Sequence, residues 1–342
     1  MAYNNVVDVI TLEEIVPRVV DTVLRTNELT MRVFRKTKDF GAATQDLPIK
    51  YQKGTAVQSF IGMDLLPTVF TDTRLLMKFN PRYVAVNVAI AGTDMMANNT
   101  AMKIIDLLAA EMDSRKEDLA DSLGDMFWSD GTGNNNKDFY GLQALVDDGT
   151  LVDSIGGLSR STYPTLQSSI INNATMSLNG LRTLFNEIGD EGAWPTVNIT
   201  TFEGWQLFET LLQPQEKIYK ETSTVADYKG YSGFNSLSWA GMEVVRDRKA
   251  PSGFWAMLNE DFLDFYALDQ KLPVYEGKEI KVASKLFIGN QYEGEVENMG
   301  FQWTGFIKTT SQFAWNSFII VSGNLLTANP RRHGMWKGIA NV

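Results

Sequence analysis

Between Thr93 and Gly141 the apolar positions recur with a helical period. Ile104, Leu108, Met112, Leu119, Leu123 and Met126 fall three, four or a skipped turn apart, which lines one face of a helix. Ile105, Leu107 and Phe127 widen that stripe, and Asp113, Lys116, Glu117, Asp118, Asp121 and Asp125 occupy the rest of the circumference. Glu111 and Arg115 stand four apart in the favourable order. A helix from Thr93 to Trp128 would be roughly 54 Å long at about 1.5 Å per residue, where the mean globular helix has about 11–12 residues. Gly131 and Gly133 are expected to stop it by accepting left-handed dihedrals, with Gly141 as a further turn glycine. The pattern predicts a long strut whose core face is Ile104, Leu108, Met112, Leu119 and Leu123.

Before the strut, Thr11 and Glu14 match a capping box, followed by Ile15, Val19, Val23 and Val16, Val20, Leu24 on adjoining stripes. Pro17 delays or kinks that helix. Met31–Lys38 then holds four cations, Arg32, Arg35, Lys36 and Lys38, and no acid. It reads either as a solvated basic segment or as a strap drawn by charge onto an acidic neighbouring copy. Residues 46–92 read as extended chain. Tyr83–Ile90 alternates like a half-buried strand, Leu47–Gln52 and Thr55–Ile61 are weaker candidates, and Thr73–Phe79 leads into the return strand. Gly54, Gly62, Pro67 and Asp72 punctuate the tip. A lone two-stranded hairpin is marginal in water, so this one needs another surface, expected from a second copy of the chain.

After the strut, Asp138–Val146 is a short packed element and Asp147–Ser161 is loop. Ser177 is placed to cap a helix carrying Leu178, Leu181, Leu184, Phe185 and Ile188, ended by Gly189. Thr196–Thr200 alternates like a strand. Thr200 or Thr201 then caps a helix with Phe202, Trp205, Phe208 and Leu212, stopped before Pro214. Met242–Arg246 and Phe254–Leu258 are strands joined through Pro251-Ser252-Gly253, with proline second and glycine fourth in a type I turn. This part is a compact α/β module. From Glu279 to Val321 the chain is β-rich, with Trp303, Phe306, Phe313, Trp315 and Phe318 as core candidates.

Composition narrows the function. The 342 residues suggest about two domains, and 44% hydrophobic with 21% charged residues is ordinary for a globular protein. There is no apolar run long enough to span a membrane and no signal-peptide pattern at Met1–Asn5. The absence of cysteine excludes disulfides, thiolate metal sites and cysteine nucleophiles, and fits a reducing cytoplasm. A net charge of −10 argues against a nucleic-acid-binding surface over the whole molecule. His333, the single histidine, leaves little acid–base or metal chemistry. Gly157-Leu-Ser-Arg-Ser161 narrowly misses a nucleophile elbow and reads as loop. Gly131-Thr-Gly133 lacks the lysine of a phosphate loop and follows a helix rather than a strand. Asp113/Glu117 and Asp121/Asp125 could hold a cation, although a solvated helix face is the ordinary reading. Arg331, Arg332, His333 and Lys337 could touch phosphate, with a surface tail or a salt contact between subunits favoured. No cofactor site and no catalytic constellation emerges.

Several blocks in order carry a resemblance. Val88-Ala-Ile-Ala-Gly-Thr-Asp94, the long helix, Ser129-Asp-Gly-Thr-Gly133 and Tyr140-Gly-Leu-Gln-Ala-Leu145 resemble major capsid proteins of tailed bacteriophages. So do Gly157-Leu-Ser-Arg-Ser-Thr-Tyr-Pro164, Leu211-Leu-Gln-Pro-Gln215 and Trp239-Ala-Gly-Met-Glu-Val-Val-Arg-Asp247. The blocks cover roughly residues 60–270. The resemblance implies the α+β, Hong Kong 97-like fold: an N-terminal arm (1–45), an extended E-loop hairpin (46–92) and a P domain on a spine helix (93–180 with about 269–315). An A domain (181–268 with about 316–325) and a C-terminal tail (326–342) complete it. It implies a structural, non-enzymatic shell protein that assembles as hexamers and pentamers into an icosahedral virion head around double-stranded DNA, built in the host bacterial cytoplasm. A portal and possible decoration proteins are the implied partners, with no membrane. The capping-box helix near residue 11 leaves no room for a scaffolding segment ahead of the arm, so a separate scaffolding protein is expected. Lys50 and Lys53 lie where some relatives cross-link. Arg32, Arg35, Lys36, Lys38, Lys50, Lys53, Arg74, Arg331 and Arg332 are the candidate assembly cations. The alternatives are an encapsulin-like compartment, which uses the same fold around enzyme cargo, and a cytosolic hydrolase.

Overall fold

The computed structural model describes residues 27–41, 43–54, 57–66, 68, 71–97, 101–189, 192–212, 237–268, 301–303, 307–308 and 312–340, with backbone only at 97, 101–109, 302, 303 and 307. In chain order the described elements are α1 (Glu28–Arg35), β1 (Thr37–Asp39), β2 (Gln45–Lys50), β3 (Arg74–Phe79), β4 (Arg82–Ala91), α2 (Gly92–Ala97), the long α3 (Ala101–Trp128), α4 (Leu142–Leu145), β5 (Ser154–Ile155), β6 (Leu158–Ser159) and β7 (Ser169–Asn172). They continue with α5 (Leu178–Gly189), β8 (Val197–Thr200), α6 (Phe202–Leu212), β9 (Leu237–Trp239), β10 (Met242–Arg246), β11 (Trp255–Leu258), β12 (Leu263–Ala267), β13 (Phe301–Trp303), β14 (Ile307–Lys308), β15 (Ala314–Thr327) and β16 (Gly334–Lys337). The helix expected from Thr11, Phe306 and the stretch around Glu279 lie outside the described residues, as do the side chains of Ile104, Leu108 and Trp303.

The predicted strut divides into α2 and the 28-residue α3, the latter about 42 Å long. Met112, Leu119, Ala120, Leu123 and Phe127 are buried along it. Lys116, assigned from sequence to the polar face, is instead buried and paired with Asp113. Asp121 and Asp125 share a cation of their own chain: the Lys249 ammonium sits 2.6 and 3.0 Å from their carboxylates. The helix is stopped by Gly131 at φ +74° and by Asn134, Asn135 and Asn136 at φ 50–62°, one left-handed turn of the residue that best tolerates that region after glycine. Gly133 does not supply left-handed dihedrals as expected; it leaves room for the Asp138 carboxylate, which a Cβ would strike. At Gly141 a Cβ would run into the carbonyls of Met126 and Ser129, so glycine lets the chain turn back tightly. Arg82 fixes this corner by donating to the carbonyls of Gly131 (2.8 Å) and Asp138 and lying 4.0 Å above the Tyr140 ring.

The first sheet is organised on β15, which pairs antiparallel with β4 over ten residues and also with β12, β13 and β14; β1 runs parallel to β12. Three expectations change here. Strand β4 belongs to this sheet and not to the 46–92 hairpin. β12 and the 316–325 stretch, grouped from sequence with the α/β module, pair with each other in this same sheet. Phe313 and Phe318, expected in the core, are 51% and 40% exposed. The two-residue period explains Phe318: Ser317, Ile319 and Val321 point inward, so Phe318 faces out opposite Asn87.

The second sheet has the order β7-β16-β11-β8-β10-β9 and is mixed. Alternate residues feed two cores. Val197, Ile199, Ala256, Leu258 and Met335 join the core beneath the first sheet and α3. Val244, Trp255, Met257 and Trp336 join Leu181, Leu184, Ile188, Trp205 and Phe208 of α5 and α6. Ser177 Oγ accepts the Gly180 N–H at 3.1 Å, and Thr201, not Thr200, caps α6 through the Gly204 N–H at 3.0 Å. The Pro251 turn is shifted by one residue: Phe254 N–H donates to the Pro251 carbonyl and Gly253 has φ +73°, which is type II geometry rather than type I.

The C-terminal residues are not a surface tail. Strand β16 lies inside the second sheet, and Arg332 and His333 are buried. Lys337 reaches the fully buried Asp147 at 2.8 Å. The other Asp147 oxygen accepts the N–H groups of Gly149, Leu151 and Val152. Burial alone would raise this carboxyl, but Lys337 and those N–H groups hold it below its usual range. Arg160, also fully buried, donates to the carbonyls of Ala144, Leu145, Val152 and Leu166. The Gly157–Ser161 loop is therefore organised from within by its arginine.

His333 Nδ1 accepts the Asn259 N–H at 3.2 Å, which leaves Nε2 to donate to Thr327 Oγ1 at 3.0 Å. Burial pushes its pKa from 6.5 down to about 3. The unfolded chain therefore binds a proton across a window in which the folded chain does not. His333 contributes stability that is whole above about pH 6.5 and lost as pH falls toward 3, at up to about 1.4 kcal/mol per pH unit. In urea titrations between those limits, His333→Asn should show a shallower loss of stability with acid than the parent; equal slopes would contradict this.

Candidate assembly surface

The hairpin β2–β3 alternates outward and inward residues, as its sequence requires. Met77 and Phe79 are fully buried, and Leu47 and Ile49 pack beside them. The Lys78 N–H donates to the Gly156 carbonyl at 2.9 Å, and Gly156 at φ +55° has no Cβ to collide with Met77. Tyr51 packs edge-on to Tyr163 at 5.4 Å. The base of the hairpin is thus fixed to the 154–163 loops. The strand ladder runs to Lys50 opposite Arg74, and one further backbone bond follows, from the Tyr51 N–H to the Thr73 carbonyl at 3.1 Å. Beyond it Gln52 Nε2 donates to the Asp72 carbonyl at 2.6 Å.

From there to Thr71 the described residues form no helix or strand, so the Thr55–Ile61 strand candidate is not one over 57–61. A local turn holds the tip: Gly62 has φ +64°, and the Asp64 carboxylate accepts the Ile61 N–H at 3.0 Å. Six apolar side chains stand in solvent here: Val57, Phe60, Ile61, Met63, Leu65 and Leu66, with Met63 102% and Leu65 92% exposed. A cluster of this kind marks an interaction surface in a protein that has cores to bury its other apolar side chains. Sequence reasoning placed a partner-seeking hairpin but missed these residues as its contact. The signal was present as a run of large apolar residues, Phe60 to Leu66, with neither period.

The predicted assembly cations separate into three groups. Lys50, Lys53 and Arg74 are exposed where the paired strands give way to the tip. Those of the first segment serve the chain itself. Arg32 pairs with Glu28, Glu243 and Glu260 at 3.0, 2.7 and 3.2 Å. Burial would lower its pKa, yet these carboxylates raise it. Lys36 pairs with Asp261, and Lys38 with Asp264 at 2.6 Å, a hydrogen bond that raises the lysine pKa. Arg35 lies on the exposed side of α1 with its guanidinium 3.3 Å from the Met31 sulfur. Three of the four Met31–Lys38 cations thus pair with acids of their own chain, while Arg35, Lys36 and Lys38 keep exposed side chains. Arg331 is half-buried beside the buried Arg332. Among the described residues no cluster of three or more His, Asp or Glu is placed to hold a metal, and no helix is long and apolar enough to cross a membrane.

No protein-family model matches the chain, and no curated protein matches it. Solved structures do. A chain of the cyanophage A-1(L) capsid asymmetric unit superposes with a TM-score of 0.69 at 13% identity, covering 92% of this chain and 93% of that one. The capsid of the empty GTA particle gives 0.54 at 8% identity, covering 90% of each chain. The native GTA particle gives 0.53 at 8% identity over the same shares. The chain has the α+β, Hong Kong 97-like fold of these shells.

Two variants separate contact residues from internal ones. Phe60→Ser/Ile61→Ser/Met63→Ser should leave subunit stability within about 0.5 kcal/mol per site, because these side chains touch little of the fold. Arg32→Ala should cost about 1–3 kcal/mol, discounted for the exposure of Glu243, by leaving three carboxylates without their cation. Thermal unfolding checks both; an Arg32→Ala subunit as stable as the parent would remove the internal role.

Proposed function

We propose that this chain is the major capsid protein of a tailed phage, assembling as hexamers and pentamers into an icosahedral head around double-stranded DNA. One observation supports this most: the likeness to the cyanophage A-1(L) capsid chain runs through nine-tenths of both chains. On this reading α3 is the spine helix, β2, β3 and their tip form the E-loop, and the second sheet with α5 and α6 is the A domain. The first sheet belongs to the P domain. The tip seats its apolar side chains on an adjacent copy, which removes them from water and gives the lone hairpin a second surface. Shell contacts of this obligate kind commonly bury about 2,000–5,000 Å². A net charge of −10 keeps packaged DNA from adhering along the wall. The implied partners are a separate scaffolding protein, a portal and possible decoration proteins, with assembly in the host cytoplasm.

Removing Gly54–Thr73 tests the assignment cleanly. Strand pairing survives to Lys50 and Arg74, and Tyr51-Gln52-Lys53 becomes a three-residue hairpin loop. Both cores lie elsewhere. The deletion should give folded subunits or capsomers, with unchanged far-ultraviolet circular dichroism, that form no closed shells in electron micrographs. Closed particles of parental diameter would overturn the role given to the hairpin.

A further inference from the structure

We propose that Met63 is an oxidation site through which a peroxide withholds the free subunit from assembly; this rests on the hairpin tip being a contact between copies. Met63 projects entirely into solvent from the Ile61–Asp64 turn, between Ile61 and Leu65, which are 86% and 92% exposed. The methionines elsewhere differ. Met77, Met112, Met176, Met242, Met257 and Met335 are buried at 5% exposure or less, and Met31, Met95 and Met126 are half-buried. Among the described side chains only that of Met96, at 71%, shares its exposure. Thioether oxidation follows access, so these two sulfurs react first.

The step is a two-electron oxygen transfer. The peroxide O–O bond breaks, one oxygen bonds to Met63 Sδ as the sulfoxide, and the other leaves as water or an alcohol. No backbone hydrogen bond at the hairpin base involves Met63, so the subunit stays folded. What changes is the tip: an apolar side chain among apolar neighbours becomes a strong acceptor. Seating it against an apolar surface strips water from the S=O group without supplying a donor. Methionine sulfoxide reductases reverse the change, and the exposed tip of a free subunit is open to them, whereas in a shell the same sulfur is covered.

The experiment treats purified subunits with limiting hydrogen peroxide, locates the added oxygen by peptide mass spectrometry, and measures the protein concentration at which shells form. Oxygen should appear at Met63 and Met96 ahead of the buried methionines, and the threshold concentration should rise about tenfold. Measured against its own untreated threshold, Met63→Leu should show no shift with peroxide, while Met96→Leu should keep the shift. Treatment with both reductase types should restore assembly, and peroxide added to finished shells should spare Met63. Assembly at the parental threshold with Met63 oxidised, or undiminished sensitivity in Met63→Leu, overturns the proposal and leaves the shell reading intact. Untreated subunits that stay monomeric at every concentration overturn the shell reading and this proposal together.

Discussion

One ring near the start of the described chain ties together segments far apart in sequence. Phe34 of α1 lies 5.7 Å from Phe127 of the long helix, 4.8 Å from Phe265 in β12 and 5.6 Å from Phe301 in β13. Aromatic pairs at these separations add to the apolar area they bury. The same short helix is fastened from its other side by ions. Asp247 accepts the Leu29 N–H at 2.8 Å, Asn27 donates to the Ala120 carbonyl at 3.1 Å, and Arg32 draws in Glu243 and Glu260. Gly124 permits this approach, since a Cβ there would strike Asn27 and Lys249. Eight residues thus set how the long helix, the first sheet and the second sheet meet.

That arrangement explains why the hairpin tip stands apart energetically. The cores fill themselves through α1, β15 and the two-faced second sheet, and they ask nothing of residues 57–66. The tip is therefore free to carry apolar side chains at no cost to the fold. Its exposure instead has a cost in water, which only another surface relieves. Function on the proposed reading comes from this separation: a rigid body that folds without the hairpin tip, and a tip that is finished by something outside the body.

The sequence was legible where a local rule sufficed. Met112, Leu119 and Leu123 share a face because of helical spacing, and Ser177 and Thr201 cap because a hydroxyl precedes an apolar run. It was not legible where the deciding partner lay far along the chain. Leu29, Val33 and Phe34 have helical spacing too, but the cations beside them suggested a solvated segment; the acids that neutralise them are at 243, 260, 261 and 264. β15 shows no local sign that it pairs with β4, and β16 none that it enters a sheet. Phe318 was misjudged because strand register, not hydrophobicity, decides which side chain faces inward. The tip was missed for the opposite reason: it has no register at all.

The same long-range pairing bears on the surface charge. Arg32, Lys36, Lys38, Lys249 and Lys337 each neutralise an acid of their own chain, and Arg160 is wholly enclosed. On the long helix Asp113, Glu117 and Asp118 remain exposed. Two copies of net charge −10 repel before they touch. On the proposed reading, contact between them therefore rests on a term that does not depend on charge, and the described surface offers one in the apolar tip. The exposed cations nearest to it, Lys50, Lys53 and Arg74, are grouped at its base, where they offset that repulsion locally. On the proposed reading, electrostatics on this surface orients the approach, and burial of apolar area supplies the hold.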